Sequence, residues 1–211
     1  GTSYGVACNS GTSALELIFR SLEIEDTEVI LPSNTFLATV IAVINAGGIP
    51  VFADCNSDLC IDIFDVSKKI TPKTSAVVIV HIGGIISKDI FELKELCNSN
   101  NLDLVEDAAQ AHGSSYKNVK AGSFGTAAGF SFFSTKVMTT GEGGIVTTNS
   151  LDLSNKMKSM REFGKVKKGI YTNYHTSLGY NWRMPEVSAL MGIRQLLSIE
   201  SFINERKKIA E

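Results

Sequence analysis

The sequence predicts an α/β fold with a mostly parallel central sheet and helices on both faces. Short apolar, strand-like runs alternate with amphipathic helical patterns along the 211 residues, and such alternation is typical of parallel strands joined by crossover helices. The length and the hydrophobic content of 44% suffice for one sizeable core. Because no internal repeat or Pro/Ser-rich linker marks a boundary, we expect a single domain over residues 1–211.

The first half of the chain supplies strands and helices in regular order. A strand at the N-terminus leads into a helix whose apolar positions are Leu15, Ile18, Phe19 and Leu22, and residues 36–46 form a second helical pattern. A third helical pattern covers residues 88–97. The predicted strands between these helices are 29–31, 49–52, 75–81 and 102–105.

The second half begins with an apolar run at residues 130–133 and continues through a Gly-rich loop to a strand at 144–148. A helix is predicted from about 151 to 163, then a polar, Lys-rich connection, then a helical region from Pro185. The last eight residues read as an amphipathic helix without a terminating signal, which suggests that the chain is a fragment.

Composition excludes several classes of function. With 20 basic and 22 acidic residues the formal charge is −2, so a nucleic-acid partner is not expected. The cysteines form no C-x-x-C pair and lie at no metal-ligand spacing from a histidine, which predicts no metal site and reduced thiols. No signal peptide or apolar stretch of membrane length is present, so we expect a cytoplasmic protein without a membrane partner.

Three segments carry chemistry, and the first is the turn around Gly11. It joins an apolar strand to a helix, with Ser13 and Glu16 spaced as a capping box. Free amides at a helix start attract anions, and glycine lets a phosphate approach closely. A capped helix without a ligand is the alternative.

The second segment places Glu106 and Asp107 at the end of an apolar strand, where open α/β sheets hold ligands. A carboxylate there would hold a heteroaromatic nitrogen in its protonated form. The alternative is that Asp107 or Glu106 caps the following turn.

The third segment, residues 130–144, contains Lys136 among aromatic and apolar residues. Such surroundings disfavour an ammonium ion, and the neutral amine is the form that attacks an aldehyde. A surface lysine that extends its charge into solvent is the alternative. Together the three segments supply a phosphate site, a carboxylate and an amine, which are the requirements of pyridoxal 5′-phosphate.

At these residues the sequence resembles the DegT/DnrJ/EryC1/StrS family of sugar aminotransferases, which have the fold-type I pyridoxal-phosphate architecture. The resemblance runs over nearly the whole chain. Its motifs are Ser10 to Leu15, Pro32-Ser33-Asn34-Thr35-Phe36-Leu37-Ala38-Thr39, Val80-His81-Ile82-Gly83-Gly84, Glu106-Asp107-Ala108-Ala109-Gln110, Ser131 to Lys136 and Gly179-Tyr180-Asn181-Trp182-Arg183-Met184.

The resemblance implies a role for each matching residue. Lys136 would carry the cofactor as a Schiff base and move protons, Asp107 would hold the pyridine nitrogen, and Gln110 would lie near the ring hydroxyl. Phe36 would stack on the ring, unless it is a core residue of its helix. The remaining cofactor-binding residues implied are Gly11, Thr12 and Ser131 for the phosphate, and Asn181, or Arg183 in its place, for the phosphate of the partner subunit's cofactor.

The related sugar 3-dehydratases carry histidine where Lys136 stands, so the resemblance implies transamination. An amino donor, commonly glutamate, would supply the amine for a nucleotide-linked keto-deoxy sugar, for cell-surface polysaccharide or natural-product sugar biosynthesis. The resemblance also implies a homodimer with its active site at the interface. Residues 1–211 would be the large cofactor-binding domain, without the family's N-terminal segment and C-terminal small domain. A non-catalytic or truncated protein with a binding or regulatory role is the alternative.

Overall fold

The computed structural model describes residues 1–210, apart from the side chains of residues 167, 168 and 171–173. Its strands are β1 Tyr4–Cys8, β2 Glu28–Pro32, β3 Ile49–Ala53, β4 Thr74–Val80, β5 Asp103–Asp107, β6 Ser115–Tyr116, β7 Val119–Lys120, β8 Ala127–Ser131, β9 Gly144–Thr148, β10 Lys165–Lys168 and β11 Tyr171–His175. Its helices are α1 Gly11–Ser21, α2 Leu37–Asn45, α3 Ile63–Lys69, α4 Ile90–Ser99, α5 Leu151–Met160, α6 Glu186–Leu197 and α7 Ile199–Ala210.

Seven strands form the central sheet in the order β1-β9-β8-β5-β4-β2-β3. The pairs from β3 through β2, β4 and β5 to β8 are parallel, whereas β9 runs antiparallel to both of its neighbours. Helices cover both faces, because α1, α2 and α5 pack in one buried cluster with the strands, and α3 and α4 pack in another. The predicted fold class is therefore confirmed.

The sheet topology brings distant segments together at one edge. In a parallel sheet the carboxyl ends of neighbouring strands lie side by side, so the segments that follow β4, β5 and β8 meet there. The turn between β1 and α1 reaches the same place, because β1 is antiparallel to β9 and Cys8 pairs with Gly144, which also pairs with Ser131.

Most predicted boundaries agree with the structure to within two or three residues, and the exceptions have local causes. Helix α5 ends at Met160, not near residue 163. The Lys-rich connection contains the hairpin of β10 and β11. Helix α3 was not predicted, although Asp62 caps it by accepting from the amides of Phe64 and Asp65.

The predicted capping box of α1 is wrong by one turn. The N-cap is Ser10, whose Oγ accepts from the Ser13 amide at 3.0 Å. Ser13 lies inside the helix. Glu16 is not part of a box, because its carboxylate accepts from Arg20 Nε at 2.8 Å and from the side-chain Nδ2 of Asn45 at 3.2 Å. The helix therefore begins at Gly11, so its first free backbone amides are those of Gly11 and Thr12.

Candidate active site

One cavity brings the three chemical segments together. Its volume of about 380 Å³ is within the range of about 300 to 1,000 Å³ that is common for small-molecule sites. Phe36 and Lys136 contribute to it from segments that are far apart in the sequence. Its lining residues are Ser10, Gly11, Thr12, Leu15, Phe36, Ala38, Val80, Asp107, Ala109, Gln110, Ser131, Phe133, Thr135, Lys136 and Glu142.

The N-terminus of α1 forms one end of this cavity. The first intrahelical bond runs from the Ala14 amide to Ser10 O, so the amides of Gly11 and Thr12 precede the helical ladder and are available as donors. A Cβ atom at Gly11 would lie only 2.6 Å from Cβ of Ser131. Only glycine allows this close contact between α1 and the end of β8, where the Ser131 side chain is buried.

Asp107 ends β5 and points into the cavity. Its Oδ2 accepts from Thr39 Oγ1 at 2.7 Å, and its Oδ1 accepts from the Ala109 amide at 3.1 Å. Burial raises the pKa of the Asp107 carboxyl, while the bonds from Thr39 and Ala109 and the charge of Lys136 act to lower it. A nearby cation would stabilise the ionised form. The capping alternative is also realised in part, since the Ala109 bond closes a local turn.

Glu106 has a different role, because consecutive strand residues point to opposite faces of a sheet. Its carboxylate accepts from the amides of Gly122, Phe124 and Gly125 at 2.7 to 2.8 Å. His81 Nε2 lies 3.0 Å from the same carboxylate, and both side chains are fully buried. Glu106 therefore does not cap the turn that follows β5; it fixes the more distant loop that leads into β8.

Lys136 lies on the loop after β8, where its amide donates to Phe133 O at 3.0 Å. The residue is half-buried and contributes to the cavity wall. Its role as the amine that carries the cofactor stays a prediction. On its other side Lys136 borders a second, more open cavity between its loop and α7.

Phe36 and Gln110 both line the cavity. Phe36 precedes α2 as its N-cap residue and is 73% exposed, so the core alternative is wrong. Gln110 accepts from the Gly83 amide at 2.9 Å through Oε1, which leaves its NH₂ group as a donor. Gly83 has a φ of +59°, a conformation that glycine adopts without strain.

Asn181 and Arg183 are not among the residues that line the cavity. Asn181 is exposed and pairs through its backbone with Glu162. The Arg183 guanidinium lies 5.3 Å from the centre of the Phe163 ring. A contact of either residue with a partner subunit stays a prediction.

Two polar residues of the site were missed by sequence reasoning. Thr39 follows Thr35 by one helical turn, and their hydroxyl oxygens are 2.7 Å apart; a buried threonine facing an acid gives no sequence signal of its own. Glu142 contributes to the cavity from the Gly-rich loop. Its signal was present, since it is the single long polar side chain of residues 139–144.

Neither a metal site nor a membrane span is found in the described part of the chain. Within residues 1–210 no three His, Cys, Asp or Glu side chains are grouped as metal ligands would be. No helix there has the length and apolar character needed to cross a membrane. All four cysteines are free.

Comparison with known proteins gives a family match over residues 1–211, to the DegT/DnrJ/EryC1/StrS aminotransferase family. Among curated relatives, GDP-perosamine synthase of Escherichia coli O157:H7 is 38% identical over 99% of this chain and 57% of its own length. UDP-4-amino-4,6-dideoxy-N-acetyl-beta-L-altrosamine transaminase of Helicobacter pylori is 34% identical over 100% of this chain and 56% of its own. The chain thus spans little more than half the length of these relatives.

Solved structures agree in fold. Helicobacter pylori PseC, an aminotransferase involved in pseudoaminic acid biosynthesis, matches with a TM-score of 0.90 and 34% identity, over 95% of this chain and 54% of its own. The PLP form of the putative sugar aminotransferase Spr1654 from Streptococcus pneumoniae matches with a TM-score of 0.89 and 28% identity, over 99% of this chain and 58% of its own.

Proposed function

Because the chain belongs to the DegT/DnrJ/EryC1/StrS aminotransferase family, we propose that it forms the cofactor-binding domain of a pyridoxal-phosphate-dependent sugar aminotransferase. The observation that carries this proposal is the single cavity shared by the α1 N-terminus, Asp107 and Lys136. The amino group would pass from an amino acid such as glutamate to a nucleotide-linked keto-deoxy sugar. The nucleotide-sugar names of both curated relatives support that substrate class.

The residues of the cavity fit pyridoxal 5′-phosphate. The close approach at Gly11 places the first amides of α1 next to the Ser131 hydroxyl, and Gly11, Thr12 and Ser131 all line the cavity where a phosphate would bind. Asp107 lies on the same cavity, where a protonated pyridine nitrogen would offset the cost of burying its carboxylate. Exposed Phe36 offers an aromatic face, and the Gln110 amide offers a donor to a ring oxygen.

The proposed chemistry divides between cofactor and protein. When bound, pyridoxal phosphate supplies an electron sink that makes the carbon next to the reacting nitrogen acidic. Lys136 would hold the cofactor through its side-chain amine and would be the group that accepts and returns the proton of that carbon. The Asp107 carboxylate would keep the ring nitrogen protonated, and Thr39 would orient the carboxylate through its 2.7 Å bond.

We further propose a cytoplasmic homodimer with the active site at its interface. An exposed apolar stripe on α2, formed by Leu37, Ile41 and Ile44, continues directly from Phe36 at the cavity. A second copy covering this stripe would enclose the cavity and offer Asn181 or Arg183 to its phosphate end.

Borohydride trapping tests the proposal on the chain itself. The protein is incubated with pyridoxal phosphate, reduced, digested and analysed by mass spectrometry. We expect the reduced cofactor on the peptide that contains Lys136, and a visible absorbance band before reduction. Lys136→Ala should lose both signals, whereas Lys88→Ala, an exposed lysine before α4, should keep them. A folded parent protein without modification at Lys136 would overturn the proposal.

A further inference from the structure

Arg161 lies against the backbone that leads into the α1 turn, although it is not among the cavity-lining residues. Its Nη1 donates to Ala7 O in β1. Its own carbonyl accepts from the Trp182 amide at 2.9 Å, and Trp182 O accepts from the Asn9 amide at 3.0 Å. These bonds connect Arg161 to Ala7 and, through Trp182, to Asn9, which lead into the turn that would hold the cofactor phosphate.

The charge of Arg161 has no acidic partner in the described part of the chain. No carboxylate there lies within 4.0 Å of its guanidinium, whereas Arg20 has Glu16 at 2.8 Å. Its Nε is buried, as is Oδ1 of Asn9, and neither has a hydrogen-bond partner among the described residues. A partly buried cation without a counter-ion is costly, so a nearby anion would stabilise it.

The electrostatic effect of Arg161 extends to the residues of the turn. Burial raises the pKa of the Cys8 thiol to about 12, and the charge of Arg161 acts in the opposite direction. The Cys8 thiol donates to Ser10 O at 3.3 Å, and Ser10 is the N-cap of α1. Positive charge from Arg161 therefore adds to that of the helix N-terminus at one place.

We infer that Arg161 is a positioning residue for the cofactor phosphate. It fixes the backbone before the α1 turn through its bonds to Ala7 and Trp182, and it supplies positive charge near the phosphate without touching it. This inference rests on the proposed function. It adds a residue that the resemblance did not single out. If Arg161 only held β1 in place, its loss would weaken ligands with and without a phosphate equally. If its charge stabilises the phosphate, its loss would weaken only the phosphorylated ligand.

The test compares pyridoxal phosphate with pyridoxal, which lacks the phosphate, by fluorescence titration of the purified chain. In Arg161→Gln, which keeps hydrogen-bond donors but loses the charge, we expect the Kd for pyridoxal phosphate to rise roughly tenfold, as expected for one charge near a dianion. The Kd for pyridoxal should not change. Arg161→Lys should retain most of the affinity, and Arg20→Gln is the control for loss of a distant, paired arginine.

The outcomes separate the inference from the proposed function. If both ligands weaken equally in Arg161→Gln, or if neither weakens, the inference is overturned while the proposed function stands. If the parent chain binds neither ligand, the proposed function fails. The inference is then tested by the change in Tm that inorganic phosphate causes. A rise in Tm with phosphate in the parent but not in Arg161→Gln supports it; the same rise in both contradicts it.

Discussion

Asp107 and Glu106 are consecutive carboxylates at the end of β5 that face opposite sides of the sheet. Asp107 lies against Thr39 of α2 and borders the cavity. Glu106 accepts three backbone amides on the other side, next to Phe124 of the second core cluster. Both acids are buried, but only Glu106 is saturated with donors. Asp107 is thus the carboxylate that remains available to a ligand.

The raised pKa of Asp107 predicts how stability depends on pH when no cofactor is added. A carboxyl whose pKa is higher in the folded state binds protons more tightly than in the unfolded chain, so the free energy of unfolding falls as pH rises above the ordinary value of 3.8. Asp107→Asn removes this loss. We expect the Tm of the variant to rise relative to that of the parent progressively as the pH increases above the ordinary carboxyl pKa of 3.8.

The control for this measurement is Asp152→Asn, which changes an exposed acid in the first turn of α5. Its Tm difference from the parent should not grow with pH in the same way. A Tm difference for Asp107→Asn that stays constant, or that turns against the variant as pH rises, would show that Asp107 is not destabilised by its burial.

At the scale of elements, the loop between β7 and β8 depends on one buried side chain. Within residues 122–125 the amides of Gly122, Phe124 and Gly125 all donate to the Glu106 carboxylate. Gly125 approaches Leu104 so closely that a Cβ atom would lie 2.2 Å from its carbonyl oxygen. This loop starts β8, the strand that ends at Ser131 in the cavity, so Glu106 supports the site from a distance.

We expect Glu106→Gln to lower the free energy of unfolding by roughly 2 to 4 kcal/mol, since an amide nitrogen would replace an acceptor among buried donors. Urea unfolding measures the change. Glu23→Gln serves as the matched control: Glu23 is an exposed partner of Lys156, and its loss should have no measurable effect. Equal effects of the two substitutions would contradict the supporting role of Glu106.

At the scale of the whole molecule, α2 is apolar on both of its faces. Ala42 and Val43 are buried against the sheet, whereas Leu37, Ile41 and Ile44 are 62%, 38% and 54% exposed. The three exposed residues follow the i, i+4, i+7 spacing of one helix face. Contiguous exposed apolar residues mark interaction surfaces, and this one adjoins the cavity through Phe36.

If a second copy covers this stripe, then a double substitution Ile41→Glu, Ile44→Glu should dissociate the dimer, because two carboxylates would be buried without partners. Sedimentation velocity should show a dimer for the parent and a monomer for the variant. Ile170→Glu, at an apolar residue that is 90% exposed on the β10–β11 hairpin, should remain dimeric. A parent monomer, or a dimer that tolerates the double substitution, would contradict the proposed interface.

Sequence patterns predicted the sheet well because they report local periodicity. The strand at 144–148 agrees with β9 residue for residue, and the helix predicted at 36–46 contains α2. The failures occurred where side chains compete for the same role. The spacing of Ser13 and Glu16 matches a capping box, but in the fold Ser10 caps the helix and Glu16 binds Arg20 and Asn45 instead.

The sequence by itself determined the fold class, the chain order of the central-sheet strands and the three chemical segments with Lys136, Asp107 and Gly11, because each depends on residues that are adjacent in the chain. The tertiary structure decided which side chains share a cavity, since that depends on strand order. The structure shows that Asp107, but not Glu106, borders the cavity. It also shows that Thr39 binds Asp107, that Glu142 lines the cavity and that Phe36 is exposed. It also brought Arg161 to β1, 154 residues away in the chain, a contact that no local pattern can contain.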